Sequence, residues 1–435
     1  MSFVADYKIE LTPEQLAILN GEQGETMAKI MKTLVMYGET FGATRMVPVT
    51  GKKGHLVTSF GIKVMKPVYE LMDRLISDGV VSGQQFSVDP KPVDKNVPAS
   101  FLENLIFKKF MYSAQEMYDG QLQKMGLVSD SAYTCTCYLD EVGNTPEKGD
   151  ILSWAESSAV VYANSVLGAR CNRNSGIIDL FGSIVGYVPY FGLLTDEGRK
   201  ATWIIEVKTE KIPEAQVLGS AIGMKVMEDV PYVKGLTKWI GSELNDDAKA
   251  YLKDFGAATA SNGAVGLYHI DGLTPEAVEM GESLIAENAQ VYVIDDAELE
   301  RVKNNYPVIW KDPDADPKLC FIGCPHLSFE QLCDWTDKFE KELAAQGKKK
   351  VKLNTIMTAA PAVLERFKKE KKDLYEKLLS FGIHLSYICP LMYMSNPLCK
   401  IKPVITNSNK LRTYTTSRYF TDAEIATIAV KGGLE

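Results

Sequence analysis

Eight cysteines and one polar stretch hold most of the chemistry this sequence offers. Cys135, Cys137, Cys171, Cys320, Cys324, Cys333, Cys389 and Cys399 are scattered over a chain of 435 residues. Between two of them runs Trp154 to Asn174, WAESSAVVYANSVLGARCNRN, which sets Glu156, Ser157, Ser158, Asn164, Ser165, Arg170, Asn172 and Arg173 among Ala, Val and Gly. Small residues let other backbone approach closely, and a buried polar group left unpaired costs roughly 1–3 kcal/mol. Such a mixture reads as the wall of a binding site. Thiolates are soft ligands that suit iron–sulfur clusters and zinc. Three sulfurs brought from distant strand ends would leave one iron open to take a substrate hydroxyl as a Lewis acid. The competing reading of any single cysteine is a small buried hydrophobe.

Those groups need elements to position them. Thr12-Pro13 with Gln15 at the capping-box position starts a helix that stops near Gly21, and Met27, Ile30, Met31, Leu34 and Val35 mark a second helix ending at Gly38. Further helices are expected over 66–78, 102–125, 213–224 and 360–379, and from the capping box Ser328/Gln331. Strands are expected over 43–49, 131–139, 203–207, 264–270, 291–294, 318–323, 351–355 and 383–389. This alternation predicts α/β layers with largely parallel sheets in two or three subdomains. Ligands collect at strand C-termini in such folds, and Cys135, His269, Cys324 and Cys389 all fall near the ends of expected strands.

Composition excludes several functions. A net charge of −8 and a pI near 5.4 disfavour nucleic acid or an anionic membrane as the main partner. Neither a secretory leader nor an apolar run of ~18–20 residues is found, so a cytoplasmic protein with free thiols is expected. There is no G-x-G-x-x-G opening a helix after a strand, no Walker loop, no H-E-x-x-H and no paired C-x-x-C, which disfavours a nucleotide enzyme or a zinc ribbon.

The segment AESSAVVYANSVLGARCNRN, with TCTCYL before it, GCPH, the cysteine of YIC and ITNSNK after it, strongly resembles aconitase X, a branch of the aconitase superfamily. The likeness runs from GEQGE and MYGETFGA through LYHIDGLTPEA to ITNSNKLRTY. It implies an aconitase-like, multi-subdomain catalytic core over residues 1–435, lacking the small swivel domain, which is then expected as a separate small subunit in a heterodimer. It also implies a three-cysteine iron–sulfur site at Cys135, Cys324 and Cys389, of open nuclearity down to a mononuclear iron. The family's first cysteine motif usually reads TCTPYL, so Cys137 stands where proline is expected and is either a spare thiol or a competing ligand. Tyr387-Ile388 likewise replaces the usual residues before Cys389, and Cys171 is read as a non-ligand.

The family dehydrates hydroxylated carboxylic substrates, notably cis-3-hydroxy-L-proline in bacteria and 5-phosphomevalonate in archaea. The leading expectation is therefore a hydro-lyase converting cis-3-hydroxy-L-proline to Δ1-pyrroline-2-carboxylate, with 5-phosphomevalonate dehydration as the alternative. An inactive iron- or thiol-binding scaffold is the reading of another class. Removing water beside a carboxylate needs a Lewis acid, a base and cations. The catalytic candidates are Glu156, Ser165 and His55. Arg170 and Arg173, ahead of Lys410, are candidates for the carboxylate, with hydrogen bonds from Asn164, Asn172, Asn407 and Ser408. His269 and His326 also match family positions near the site.

Overall fold

In the computed structural model, which describes residues 7–434, thirteen strands form four sheets among the described residues. Two are small: β1 (Met46–Pro48) pairs antiparallel with β4 (Tyr187–Pro189), and β2 (Gly54–Leu56) pairs parallel with β3 (Phe86–Val88). The other two are larger and parallel throughout. β5 (Ala201–Val207), β6 (Pro231–Lys234), β7 (His269–Ile270) and β8 (Ile285–Ile294) lie in the order β7-β6-β5-β8. β9 (Leu319–Leu327), β10 (Thr355–Ala359), β11 (Ile383–Ser386), β12 (Val404–Thr406) and β13 (Arg418–Tyr419) lie in the order β11-β10-β9-β12-β13. This is the α/β architecture with largely parallel sheets expected from the alternation of strands and helices.

Burial explains the strand patterns. All nine residues of β9 are buried, the continuous apolar run of a central parallel strand, whereas β5 alternates buried and half-buried positions. One apolar core lies around the β5–β8 sheet and the helix Ser157–Ser165, a second under the N-terminal helices, and a third around the β9–β13 sheet. No described helix is long and apolar enough to cross a membrane.

Several local expectations change. Residues 131–139 do not form a strand: the Thr134 hydroxyl accepts the Thr136 amide at 3.1 Å and pairs with His326, so side chains capture backbone that a ladder would use. The helical run over 102–125 is broken into Phe101–Leu105, a π-helical turn Ile106–Met111 and Gln115–Met125. The stretch 360–379 is two helices, Pro361–Glu370 and Lys372–Ser380. The strand expected over 264–270 shrinks to its last two residues, and that over 351–355 starts only at Thr355.

Candidate active site

The C-terminal ends of the β9–β13 sheet deliver the first half of the site. Cys324 lies in the second half of β9, Cys389 follows β11, and Ser408 and Lys410 follow β12. Gly323 before Cys324 sits at φ +102°, and a Cβ there would stand 2.4 Å from the Thr358 carbonyl oxygen, so only glycine fits this turn toward the site. Ser408 caps the helix Asn409–Tyr414 and its hydroxyl donates to the Cys324 carbonyl, which pins β12's loop to β9. Cys324 is packed with Phe107, Tyr112, Ile388, Tyr393 and Leu411 in a small core of its own.

His326 ties the three cysteine segments together. Its amide donates to the Cys135 sulfur at 3.4 Å, its Nδ1 lies 2.9 Å from the Thr134 hydroxyl, and its Nε2 lies 3.1 Å from the Ile388 carbonyl next to Cys389. A carbonyl can only accept, so Nε2 holds the ring proton and Nδ1 accepts from Thr134. Burial pushes the imidazole down to about 4, and it stays neutral.

The polar stretch supplies the second half. Glu156 is the N-cap of the helix Ser157–Ser165 and accepts the Ala159 amide and the Ser158 hydroxyl, each at 2.6 Å. Its other oxygen takes the Lys410 ammonium, which also reaches Ser158 at 3.3 Å. Both partners are buried, 5% and 7% exposed. Burial would raise the Glu156 carboxyl, but Lys410 together with the Ser158 and Ala159 hydrogen bonds outweighs it and holds the group below its ordinary range. Burial opposes the charge on Lys410 too, and Glu156 with the nearby thiols Cys324 and Cys135 more than restores it. Burial is also the main force raising Cys135, Cys324 and Cys389, with Lys410 pulling each of them back.

The third contribution comes from the β2–β3 pair. His55 is fully buried, edge-on to Trp154 at 5.9 Å between ring centres, with Nδ1 2.9 Å from the Ser87 hydroxyl. Its Nε2 lies 3.5 Å from Asp89 Oδ1, and neither atom has a hydrogen-bond partner among the described residues. Asn144 bonds both Ser87 and the Gly54 carbonyl and braces the pair. Burial raises the Asp89 carboxyl, with Glu156 adding to the rise and His55 and Lys410 opposing it. Asp89 also faces a small cleft lined by Thr58, Lys91, Tyr118 and Tyr133. Parallel pairing of β2 with β3 sets His55 opposite Ser87, and Asp89, two residues beyond Ser87, reaches the His55 ring from the end of β3.

The structure therefore gathers Cys135, Cys324, Cys389, Glu156, Ser408, Lys410 and His55, and adds Asp89 and Ser158. Arg173 is half-buried and makes no hydrogen bond or ion pair among the described residues; burial lowers it, while Tyr414 and Glu156 draw it back up. Other expected site residues go elsewhere. Arg170 is spent on the Leu194 carbonyl and Asp196. Asn164 bonds the Cys171 amide and carbonyl and the Gly266 carbonyl, Ser165 accepts the Tyr268 amide, and Asn172 bonds Phe191 and Leu193 backbone. Asn407 donates to Asp422. Asn164, Ser165 and Asn172 thus hold loops through distant backbone, Arg170 is held by Leu194 backbone and the Asp196 carboxylate, and Asn407 is tied to Asp422 with its buried Oδ1 left without a partner among the described residues. His269 likewise serves the Arg199 carbonyl, and the Cys171 thiol the Trp154 and Asn172 carbonyls. Asp89 escaped the sequence reading because it sits between a short strand and Pro90; an acid at a strand end was the available signal.

Three soft donors near one lysine, Cys324 and Cys389 buried and Cys135 partly so, are chemically suited to a thiolate-bound metal group. Among the described residues no group of three or more Cys, His, Asp or Glu side chains is placed to hold a single metal ion.

Residues 8–197 match the family model described as aconitase X first domain, and residues 201–304 that of aconitase X second domain. The chain is 34% identical over 355 residues, 81% of its length and 82% of the relative, to the phosphomevalonate dehydratase large subunit of Thermococcus kodakarensis. It is 24% identical to the cis-3-hydroxy-L-proline dehydratase of Hypocrea jecorina, over 93% of this chain and 65% of that protein. The crystal structure of Thermococcus kodakaraensis aconitase X in its holo-form superposes with a TM-score of 0.77 at 28% identity, covering 97% of this chain and 100% of that one. With two family models spanning well over half its length and 34% identity over 355 aligned residues to a curated dehydratase, the chain belongs to the aconitase X family of hydro-lyases.

Proposed function

We propose that this chain is the large subunit of a two-subunit dehydratase that removes water from phosphomevalonate. The observation that favours this substrate is the relationship: 34% identity over four fifths of both chains to a phosphomevalonate dehydratase large subunit, against 24% to a cis-3-hydroxy-L-proline dehydratase that is covered to 65%. This reverses the order of the two substrates that the family resemblance implied.

Phosphomevalonate is a β-hydroxy acid, so elimination takes a proton from the carbon next to the carboxylate and expels the hydroxyl from the carbon beyond. Arg173, whose guanidinium is uncommitted, receives the carboxylate through its planar fork. Asp89 takes the proton: burial raises its affinity for one, and His55 at 3.5 Å orients it. Lys410 and Glu156 are positioning residues, with the ammonium held between the carboxylate and the sulfurs of Cys135 and Cys324. Cys135, Cys324 and Cys389 would hold an iron–sulfur group, which supplies Lewis acidity at the leaving hydroxyl. Ser408 and His326 keep the three sulfur-bearing segments in register for it.

The test is anaerobic reconstitution of the chain with iron, sulfide and its small subunit, followed by incubation with each substrate and mass spectrometry for loss of water. Turnover of phosphomevalonate with cis-3-hydroxy-L-proline left intact is expected; the opposite preference would overturn the substrate assignment.

A further inference from the structure

The small core that holds Cys324 has an outer face as well as an inner one. Phe107 and Tyr112 point inward from residues 101–112, and Tyr112 donates to the Met392 carbonyl at 2.7 Å. The outward side of the same segment leaves Phe101, Leu102, Leu105 and Phe110 exposed. Two neighbouring stretches extend this face. The Lys63 amide bonds the Met111 carbonyl at 2.7 Å, which sets Val64 beside Phe110. Lys402 is paired with Glu103 and Asn396 bonds the Glu103 carbonyl, which sets Ile401 along the other flank. Phe101, Val64 and Ile401, at 84%, 79% and 77%, are the most exposed large apolar side chains among the described residues. Scattered single apolar residues need no explanation, but a contiguous patch marks an interaction surface.

The charge around the patch says what kind of partner fits. Residues 61–69, 95–111 and 397–402 hold seven lysines and one acid, Glu103, which is buried against Lys402. The chain as a whole has a net charge of −8. A second copy docking through the same patch would set lysine against lysine, because a two-fold interface meets itself. A different chain with an apolar centre and an acidic rim fits.

We infer that this patch is where the small subunit docks, an inference that rests on reading the chain as the large subunit of a two-subunit enzyme. The location gives docking a consequence. The segment beneath the patch shares its small apolar core with Cys324, and the Cys389 amide is held by the Lys91 carbonyl. A subunit seated on Phe101 and Phe110 therefore closes over the elements that hold two of the three sulfurs.

The experiment uses the full chain and its small subunit, purified separately and mixed, with binding read by calorimetry and by light scattering after gel filtration. Phe101→Asp and Phe110→Asp should each weaken the complex at least ~30-fold, the scale of a central anchor residue. Lys108→Glu with Lys109→Glu should weaken it and flatten its salt dependence, since screened attraction to an acidic rim is what they remove. Val291→Asp, on the exposed edge strand β8, serves as the control and should bind as the wild type does. Unchanged melting temperatures show that the variants fold. Equal binding by wild type and patch variants overturns the location, as does a wild-type chain that self-associates until Phe101→Asp makes it monomeric. Patch-dependent sedimentation with phosphatidylserine vesicles, with subunit binding unaffected, overturns it in favour of a membrane surface. Failure of the wild-type chain to bind the small subunit at all overturns the two-subunit reading beneath it.

Discussion

Lys410→Met tests the centre of the site. The ammonium is buried and shared between Glu156 and Ser158, so its removal leaves an ionised carboxylate without its counter-charge. Breaking a buried ion pair from one side costs about 3–5 kcal/mol, because the remaining charge keeps its desolvation penalty and loses its partner. Unfolding entropy of about 2.1 cal/mol/K per residue, summed over 435 residues, comes to about 0.9 kcal/mol/K. The variant should therefore melt roughly 3–5 °C below the wild type when the whole chain unfolds together. Glu156→Gln combined with Lys410→Met removes both charges and should recover most of that loss. Turnover should stay lost in the double variant, since the cation that offsets burial at Cys135 and Cys324 is gone in both. The sign with pH follows from Glu156, which is held below its ordinary range. Its contribution is present above the unfolded carboxyl's pKa and fades as pH falls through the folded value. The gap between wild type and Lys410→Met should therefore narrow in acid. A single variant that melts with the wild type at neutral pH, or a double variant that recovers nothing, would refute the reasoning.

Other outcomes follow from the same geometry. Arg173→Lys should raise KM by roughly 10–100-fold with the fold and metal content intact, as a bidentate carboxylate contact is lost; Arg170→Lys should leave steady-state kinetics unchanged, and a KM effect there with none at Arg173 would exchange their roles. Cys324→Ser should prevent iron uptake on reconstitution while Cys137→Ser keeps it, read by iron counting and visible absorption; loss of iron only in the Cys137 variant would move the ligand set. A colourless wild-type chain that takes up no iron would favour the scaffold reading. Away from the site, burial and Asp422 push Glu214 up to about 7 from an ordinary 4.5. The folded chain then keeps a proton that the unfolded chain releases, so stability falls by about 3 kcal/mol between those two values and is flat above them. Glu214→Gln should gain on the wild type by roughly 3 °C between pH 5 and pH 8, and a difference that does not change with pH would count against it.

Much of the local structure was legible in short stretches of sequence. Thr12 with Gln15 and Ser328 with Gln331 form the capping boxes their spacing announces, since such bonds reach three residues along the chain and need nothing from afar. The alternation of strands and helices was enough for parallel sheets, and their C-terminal ends do bear Cys324, Cys389 and Lys410. Residue type also limited what each side chain could do: Asn164 must use both ends of its amide when buried, and Glu156 must find donors.

Which partner each group found was decided by packing. Asn164 meets the carbonyl of Gly266 and Lys410 meets Glu156 from 102 and 254 residues away, and no local spacing encodes either. The stretch from Trp154 to Asn174 therefore divides: its first turn, with Glu156 and Ser158, faces the chamber, while Asn164, Ser165, Arg170 and Asn172 tie loops to neighbouring backbone. Asp89 entered the site only because β2 and β3 run parallel in a register that sets His55 opposite Ser87, two residues before it. The sequence by itself determined which donors, acceptors and charges this protein owns. Tertiary structure decided which were consumed by the fold and which were left facing one another, because a buried polar group takes whatever partner the closed core brings within reach.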